Sequence, residues 1–95
     1  MYHYVYILKS LKQDIIYVGY TTNLKQRVDS HNNSNSSDHF TFRNRPWKLV
    51  YYESYLDEND AREREGKLKN YGKGLSLLKN RITRSLRCAG NRQTR

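Results

Sequence analysis

Six residues of this chain have types and spacings that could do chemistry: Tyr6, Tyr17, Gly19, Arg27, His31 and Glu65. Two phenols can orient or carry protons, an arginine fork can grip a doubly oxygenated anion, and an imidazole can relay a proton near neutral pH. A lone carboxylate among them can hold a hard cation or pair with a base. Four of the six lie in "IYVGYTTNLKQRVDSH", Ile16 to His31, where a strand pattern meets a glycine, two threonines and then a helix pattern.

The elements that must position them can be read from periodicity. Residues Tyr2 to Lys9 alternate as a strand, with Tyr2, Tyr4, Tyr6 and Leu8 on one face and His3, Val5 and Ile7 on the other. After the polar link "SLKQD", a second strand puts Ile15, Tyr17 and Gly19 on one side and Ile16 and Val18 on the other, as an antiparallel hairpin would. A register pairing Tyr6 with Tyr17 would set both phenols on one face. The strand is expected to break at Gly19, with Thr21 or Thr22 capping a helix whose apolar stripe is Leu24 and Val28. Taking Leu24 as zero, Val28 falls at about 40°, His31 at about −20° and Arg27 at about −60°, so both polar residues edge the buried stripe.

"NNSNSSDH" is a low-complexity polar stretch expected to be a mobile loop, and Thr41 to Pro46 is basic. "WKLVYYESY" reads as a third strand, with Val50, Tyr52 and Ser54 opposite in face to Leu49, Tyr51 and Glu53. Asp57 or Asn59 caps a second helix that runs to about Tyr71, stopped by Gly72 in a left-handed conformation. Its stripe is Ala61, Leu68 and Tyr71, and Glu65 falls inside it. A third helix is expected from Leu75 to Leu86, with Leu75, Leu78, Ile82 and Leu86 on one side. The resulting fold class is α+β, a three-stranded antiparallel sheet flanked by three helices, in one domain over 1–86 with a basic, disordered tail over 87–95.

Composition narrows the partners. The 95 residues carry 18 Lys and Arg against 9 Asp and Glu, a formal charge of +9, which favours a polyanion. Nine tyrosines can fill a small core while keeping polar tips. No long apolar run suggests a membrane partner. Cys88 is the one cysteine, which excludes a disulfide framework and a thiolate zinc site, and the start reads as a strand rather than a signal peptide. A cytoplasmic location is expected by default.

"VYI" at 5–7 followed by "YVG" at 17–19 resembles the paired half-motifs of the GIY-YIG endonuclease superfamily, with Val5 in place of the first glycine. "LKQRVDSHN" and "AREREGKLKNY" resemble that family's arginine-bearing and glutamate-bearing helices, and the likeness covers about residues 2 to 80. It implies a small stand-alone member: a metal-dependent hydrolase of DNA phosphodiester bonds, structure-selective in repair or processing. The implied catalytic residues are Tyr6, Tyr17, Arg27, His31 and Glu65, with Glu65 holding Mg²⁺ or Mn²⁺ and Gly19 turning the backbone beside the chemistry. DNA rather than RNA is the implied partner, the chain is expected as a monomer, and a protein partner for targeting is left open.

Tyr20, Arg43, Arg45 and Lys48, with Phe40, Phe42 and Trp47 interleaved, are candidate nucleic-acid contacts. The tail arginines Arg87, Arg92 and Arg95 would add unspecific affinity. Each site residue also has a plainer use. The tyrosines could pack a sheet, Arg27 could snorkel, His31 could meet the helix dipole, and Glu65 could pair with Lys69. A non-catalytic nucleic-acid-binding module of the same fold is the alternative function, and a protein-interaction adaptor fits the charge less well.

Overall fold

The computed structural model describes residues 1–33, 39–70 and 72–90. Three strands form one antiparallel sheet in the order β2-β1-β3: β1 (His3–Ser10), β2 (Ile16–Thr21) and β3 (Trp47–Tyr55). As the central strand β1 is covered on both faces, which is why its two alternating sets are both bulky. Val5 and Ile7 join Val18, Ala61, Leu68, Leu75 and Leu78 in one core, while Tyr6 and Leu8 join Trp47 in a second.

The hairpin register differs from the expected pairing. Tyr6 lies opposite Gly19, and Tyr17 opposite Leu8. Because the offset is two residues, the two phenols still share a face, as a period of two requires. β2 does not break at Gly19 but continues to Thr21. On the other side of β1, Ile7 pairs with Tyr51 and Leu8 with Leu49, so Val50 is an extra residue in a bulge. The bulge exchanges faces: Leu49 joins the core of Tyr6 and Leu8, whereas Val50 and Tyr51 both pack against the core of Val5 and Ile7.

Five helices are found among the described residues, two more than expected: α1 (Leu24–Asn33), α2 (His39–Arg43), α3 (Glu58–Lys69), α4 (Lys73–Arg81) and α5 (Thr83–Gly90). Asn23, not a threonine, caps α1, its Oδ1 accepting the Gln26 N–H at 3.1 Å. The Thr21 hydroxyl instead accepts from the Asn23 N–H at 3.0 Å and so fixes the approach to the helix. Asp57 caps α3 by accepting from the Asn59 N–H at 2.7 Å. Among the described glycines none has positive φ, so Gly72 is no left-handed stop; it stands just before α4.

The helix expected over 75–86 is divided at Ile82. There Ile82 leaves the helical range (φ −115°, ψ 30°) and its N–H donates to the carbonyls of Leu78 at 3.2 Å and Lys79 at 3.3 Å. The Thr83 hydroxyl donates to those of Lys79 at 3.3 Å and Asn80 at 3.0 Å. The stripe of Leu75, Leu78, Ile82 and Leu86 still faces the core. Helix α5 carries regular structure to Gly90, into the segment expected as a tail; the rest of that segment, 91–95, lies outside the described residues. So do Tyr71 and most of the polar stretch, 34–38.

A glutamate ties the sheet to α3. Glu53 Oε2 accepts from Arg64 Nη2 and Nε at 3.0 and 3.1 Å, and Oε1 accepts from Nε at 3.0 Å. The Tyr51 hydroxyl donates to Glu53 Oε2 at 2.6 Å, and that of Tyr55 donates to Oε1. No described helix is long and apolar enough to cross a membrane.

Candidate active site

The candidate site forms on the Tyr6 face of the sheet, beside the edge strand β2. Tyr6 is fully buried at the centre, pointing across the ladder over Gly19. A Cβ on Gly19 would overlap the Tyr6 Cζ and hydroxyl oxygen. The glycine is therefore required by a close approach within the ladder rather than by a turn.

Helix α1 lies over this face because Leu24 and Val28 pack against the Tyr6, Leu8 and Trp47 core. That orientation brings His31 inward, where it is buried with Nε2 3.0 Å from the Tyr6 hydroxyl. The imidazole also lies edge-on to Tyr17, ring centres 4.8 Å apart, and the two tyrosine rings are 6.4 Å apart. Asn32, the next residue, holds the end of α1 to β3: its Oδ1 accepts from the Trp47 N–H at 2.6 Å and its Nδ2 donates to the Trp47 carbonyl at 3.1 Å. Adjacency to His31 was its one sequence signal.

Arg27 is exposed on α1, yet its guanidinium reaches the buried phenol. Burial and the neighbouring Tyr17 hold the Tyr6 hydroxyl well above the ordinary tyrosine pKa. Arg27, by charge and hydrogen bonding, pulls it down, and Glu65 pushes it up again. The three charged or phenolic neighbours named there are the ones singled out by sequence spacing.

Glu65 comes from α3, which packs on the opposite face of the sheet. It reaches the site around the β2 edge, as Lys69 shows: its Nζ is 3.1 Å from Glu65 Oε2 and 5.8 Å from the centre of the Tyr17 ring. Arg62 takes the other carboxylate oxygen, Nη1 to Oε1 at 3.8 Å. The Glu65 side chain is 15% exposed, so it is sheltered but reachable. Arg62 was not singled out by sequence, although it lies three residues before Glu65 and so one turn away. Next to it, a Cβ on Gly66 would meet nothing, so close packing is not what that glycine serves.

Tyr20 is on the other face of β2 from Tyr17 and Gly19. Its hydroxyl is 2.7 Å from His3 Nδ1, and the Arg62 guanidinium lies over its ring at 3.8 Å. It thus touches the site through Arg62. The remaining candidates gather elsewhere: Arg43 on α2, Arg45 stacked over Phe42 at 4.1 Å, and Lys48 exposed on β3 opposite Lys9.

As a metal centre the donor set is narrow. Among the described residues no three His, Cys, Asp or Glu side chains cluster. One carboxylate beside two phenols fits a hard cation that keeps most of its water and takes a substrate phosphate, as Mg²⁺ and Mn²⁺ do. It does not fit the nitrogen and sulfur set of zinc. Glu65 already balances two cationic side chains, which is consistent with a place for positive charge.

Comparison with known proteins bears on the family and the fold. The sequence pattern described as the GIY-YIG catalytic domain matches residues 2–84. A UPF0213 protein of Staphylococcus haemolyticus is 38% identical over 75 residues, covering 79% of this chain and 89% of that protein. A UPF0213 protein of Clostridium perfringens is 37% identical over 75 residues, 79% of this chain and 78% of the relative. The solution NMR structure of a UPF0213 protein from Bacillus halodurans shares the fold with a TM-score of 0.50 and 29% identity, covering 82% of this chain and 81% of that one.

Proposed function

This chain belongs to the GIY-YIG family of nuclease domains, and from that footing we propose that it is an endonuclease that hydrolyses DNA phosphodiester bonds with the help of Mg²⁺ or Mn²⁺. The observation that carries the reading is the convergence on one phenol. Tyr6 meets His31 directly, Arg27 and Glu65 act on its charge, and Tyr17 stands beside it.

Arg27 would hold the scissile phosphate, since the residue is exposed and its planar fork matches two phosphate oxygens. Tyr6, kept protonated by burial, would orient the attacking water, with its hydroxyl donating to His31 Nε2 when that nitrogen is unprotonated. Tyr17 is only half-buried and faces Lys69. It would take a proton from the attacking water as oxygen attacks phosphorus, and the bond to the leaving oxygen breaks with that oxygen departing as an alkoxide that takes a proton from solvent. Glu65 would hold the cation, which supplies Lewis acidity toward the phosphate oxygens.

A second reading is a binding module that does not cut. The Glu65–Lys69 pair favours it, because it gives the carboxylate a partner that needs no metal. Cleavage of plasmid, single-stranded, forked and four-way DNA with Mg²⁺, Mn²⁺ or EDTA separates the two. Metal-dependent cutting that is lost in Glu65→Gln supports the nuclease. Binding without cutting on every substrate, unchanged by Glu65→Gln, supports the binding module. A role in repair or processing of branched DNA would follow from selective cutting of the forked and four-way substrates.

A further inference from the structure

The turn between β1 and β2 is tied down far more firmly than a solvent loop requires. Ser10 is fully buried. Its hydroxyl accepts from the Lys12 and Gln13 N–H groups at 3.0 Å each and donates to the Asn44 carbonyl at 2.7 Å. The Leu11 N–H donates to the Pro46 carbonyl at 2.9 Å, and Lys9 Nζ donates to the carbonyls of Ser10 and Gln13 at 2.9 and 3.0 Å. Yet the tip, Lys12 to Asp14, is exposed.

This rigid tip is a ridge between two basic clefts. On one side a cleft is lined by Phe42, Arg43 and Arg45 as well as Lys12 and Gln13. On the other, Lys12 and Gln13 face Lys79 and Arg87 from α4 and α5. Asp14 is the acid in this second cleft, 3.7 Å from Lys9, which it balances. The cations on both flanks therefore remain in excess. The ridge also begins one ladder pair from the candidate site, since Lys9 opposite Ile16 follows Leu8 opposite Tyr17.

We propose that this turn is a wedge for the major groove of double-stranded DNA, with Arg43 and Arg45 meeting one backbone and Lys79 and Arg87 the other. The proposal rests on the nuclease reading only for its biological sense, since it names the duplex flank that the cutting site would work beside. The major groove of B-form DNA, about 12 Å wide, admits a two-stranded ribbon, while that of an RNA duplex is too deep and narrow for side chains. Gln13, at the tip, has the amide that can pair with an adenine edge.

The test is fluorescence anisotropy in EDTA with a labelled DNA duplex of about two helical turns, its single strand and the matching RNA duplex. Lys79→Ala/Arg87→Ala is compared with Lys67→Ala/Lys73→Ala, which removes the same charge from exposed positions outside both clefts. The cleft variant is expected to bind duplex DNA about tenfold more weakly, with a salt slope shallower by about 1.8, and the control less than about twofold more weakly. Lys12→Ala/Gln13→Ala is expected to lose duplex affinity and keep single-strand affinity. Equal loss in the control, no loss in the turn variant, or wild-type binding of RNA duplex or single strand as tight as of DNA duplex would overturn the proposal. Because no metal is present, this result is separate from cutting. A chain that cuts while the cleft variant matches the control loses the wedge alone. A chain that shows the wedge pattern and never cuts loses the nuclease reading alone.

Discussion

Tyr6 and Gly19 face each other across the β1–β2 ladder, and the phenol occupies the space a Cβ at position 19 would need. The ring cannot retreat, since it is fully buried and bonded to His31. Gly19→Ala is therefore expected to cost about 1–3 kcal/mol, the usual range for overpacking a core. Urea denaturation followed by the fluorescence of Trp47 would measure it. In a Tyr6→Leu background the same alanine is expected to cost less than about 1 kcal/mol, because the obstructing hydroxyl and ring edge are gone. An equal cost in both backgrounds would mean that the glycine accommodates something else.

The Glu53 cluster predicts how stability varies with pH. Burial would raise the Glu53 pKa, but the bonds from Arg64, Tyr51 and Tyr55 outweigh it and hold it below 4.5. Its contribution is present above that value and is lost as pH falls through the lower, folded value. Burial and the bond to Glu53 push Tyr51 and Tyr55 from 10.0 up to about 12. Their contribution is present below pH 10 and is lost as pH rises toward 12. Glu53→Gln is expected to cost about 2 kcal/mol at neutral pH by weakening the Arg64 bonds, and to flatten the acid limb. Tyr51→Phe/Tyr55→Phe is expected to flatten the alkaline limb. Urea midpoints across pH would check both, and an unchanged alkaline limb in the double variant would refute the tyrosine assignment.

How much of this was legible depends on the range of the physics involved. The placement of Tyr6, Tyr17 and His31 followed from local periodicity, because alternation alone puts Tyr6 and Tyr17 on one face and a helical stripe alone turns His31 inward. Their reading as catalytic residues came instead from the resemblance to the GIY-YIG superfamily. The same local rule could not find the register. Pairing Tyr6 with Gly19 is decided by steric room across the ladder, which no single strand displays. The face of Leu49 was misread because one extra residue at Val50 reverses the alternation, and the bulge depends on β1 rather than on "WKLVYYESY" itself. Likewise the stripe from Leu75 to Leu86 is continuous across Ile82. The division between α4 and α5 lies in the backbone of Ile82, at φ −115° and ψ 30°, which its apolar side chain does not announce.

Lys69 predicts a metal-binding phenotype. Its ammonium pairs with the carboxylate that would hold the cation, so the two positive charges compete for Glu65. Lys69→Met is expected to tighten Mn²⁺ binding by about fivefold, the screening of a partly exposed pair keeping the effect near 1 kcal/mol. Electron paramagnetic resonance of free Mn²⁺, without DNA, would read it, and Glu65→Gln should abolish the site. Weaker Mn²⁺ binding in Lys69→Met would show instead that the lysine builds the site by fixing the carboxylate.

The tyrosines predict a division of labour. Burial and Tyr17 keep the Tyr6 proton in place, so Tyr6 is poorly suited to be the base, whereas Tyr17 is half-buried beside Lys69. Tyr17→Phe is expected to lower kcat by about 10²-fold or more, the usual worth of a general base, and to alter the pH–rate profile. Tyr6→Phe keeps the ring over Gly19 and removes the hydroxyl's bonds to His31 and Arg27. It is expected to cost about 1 kcal/mol of stability and about tenfold in rate, with the shape of the profile retained. Single-turnover cleavage across pH, with denaturation run in parallel, would separate the two. Full activity in Tyr17→Phe, with the profile altered only in Tyr6→Phe, would reverse the roles. The hydroxyl bonded to His31 would then be the one that gives up its proton, with the imidazole as its relay.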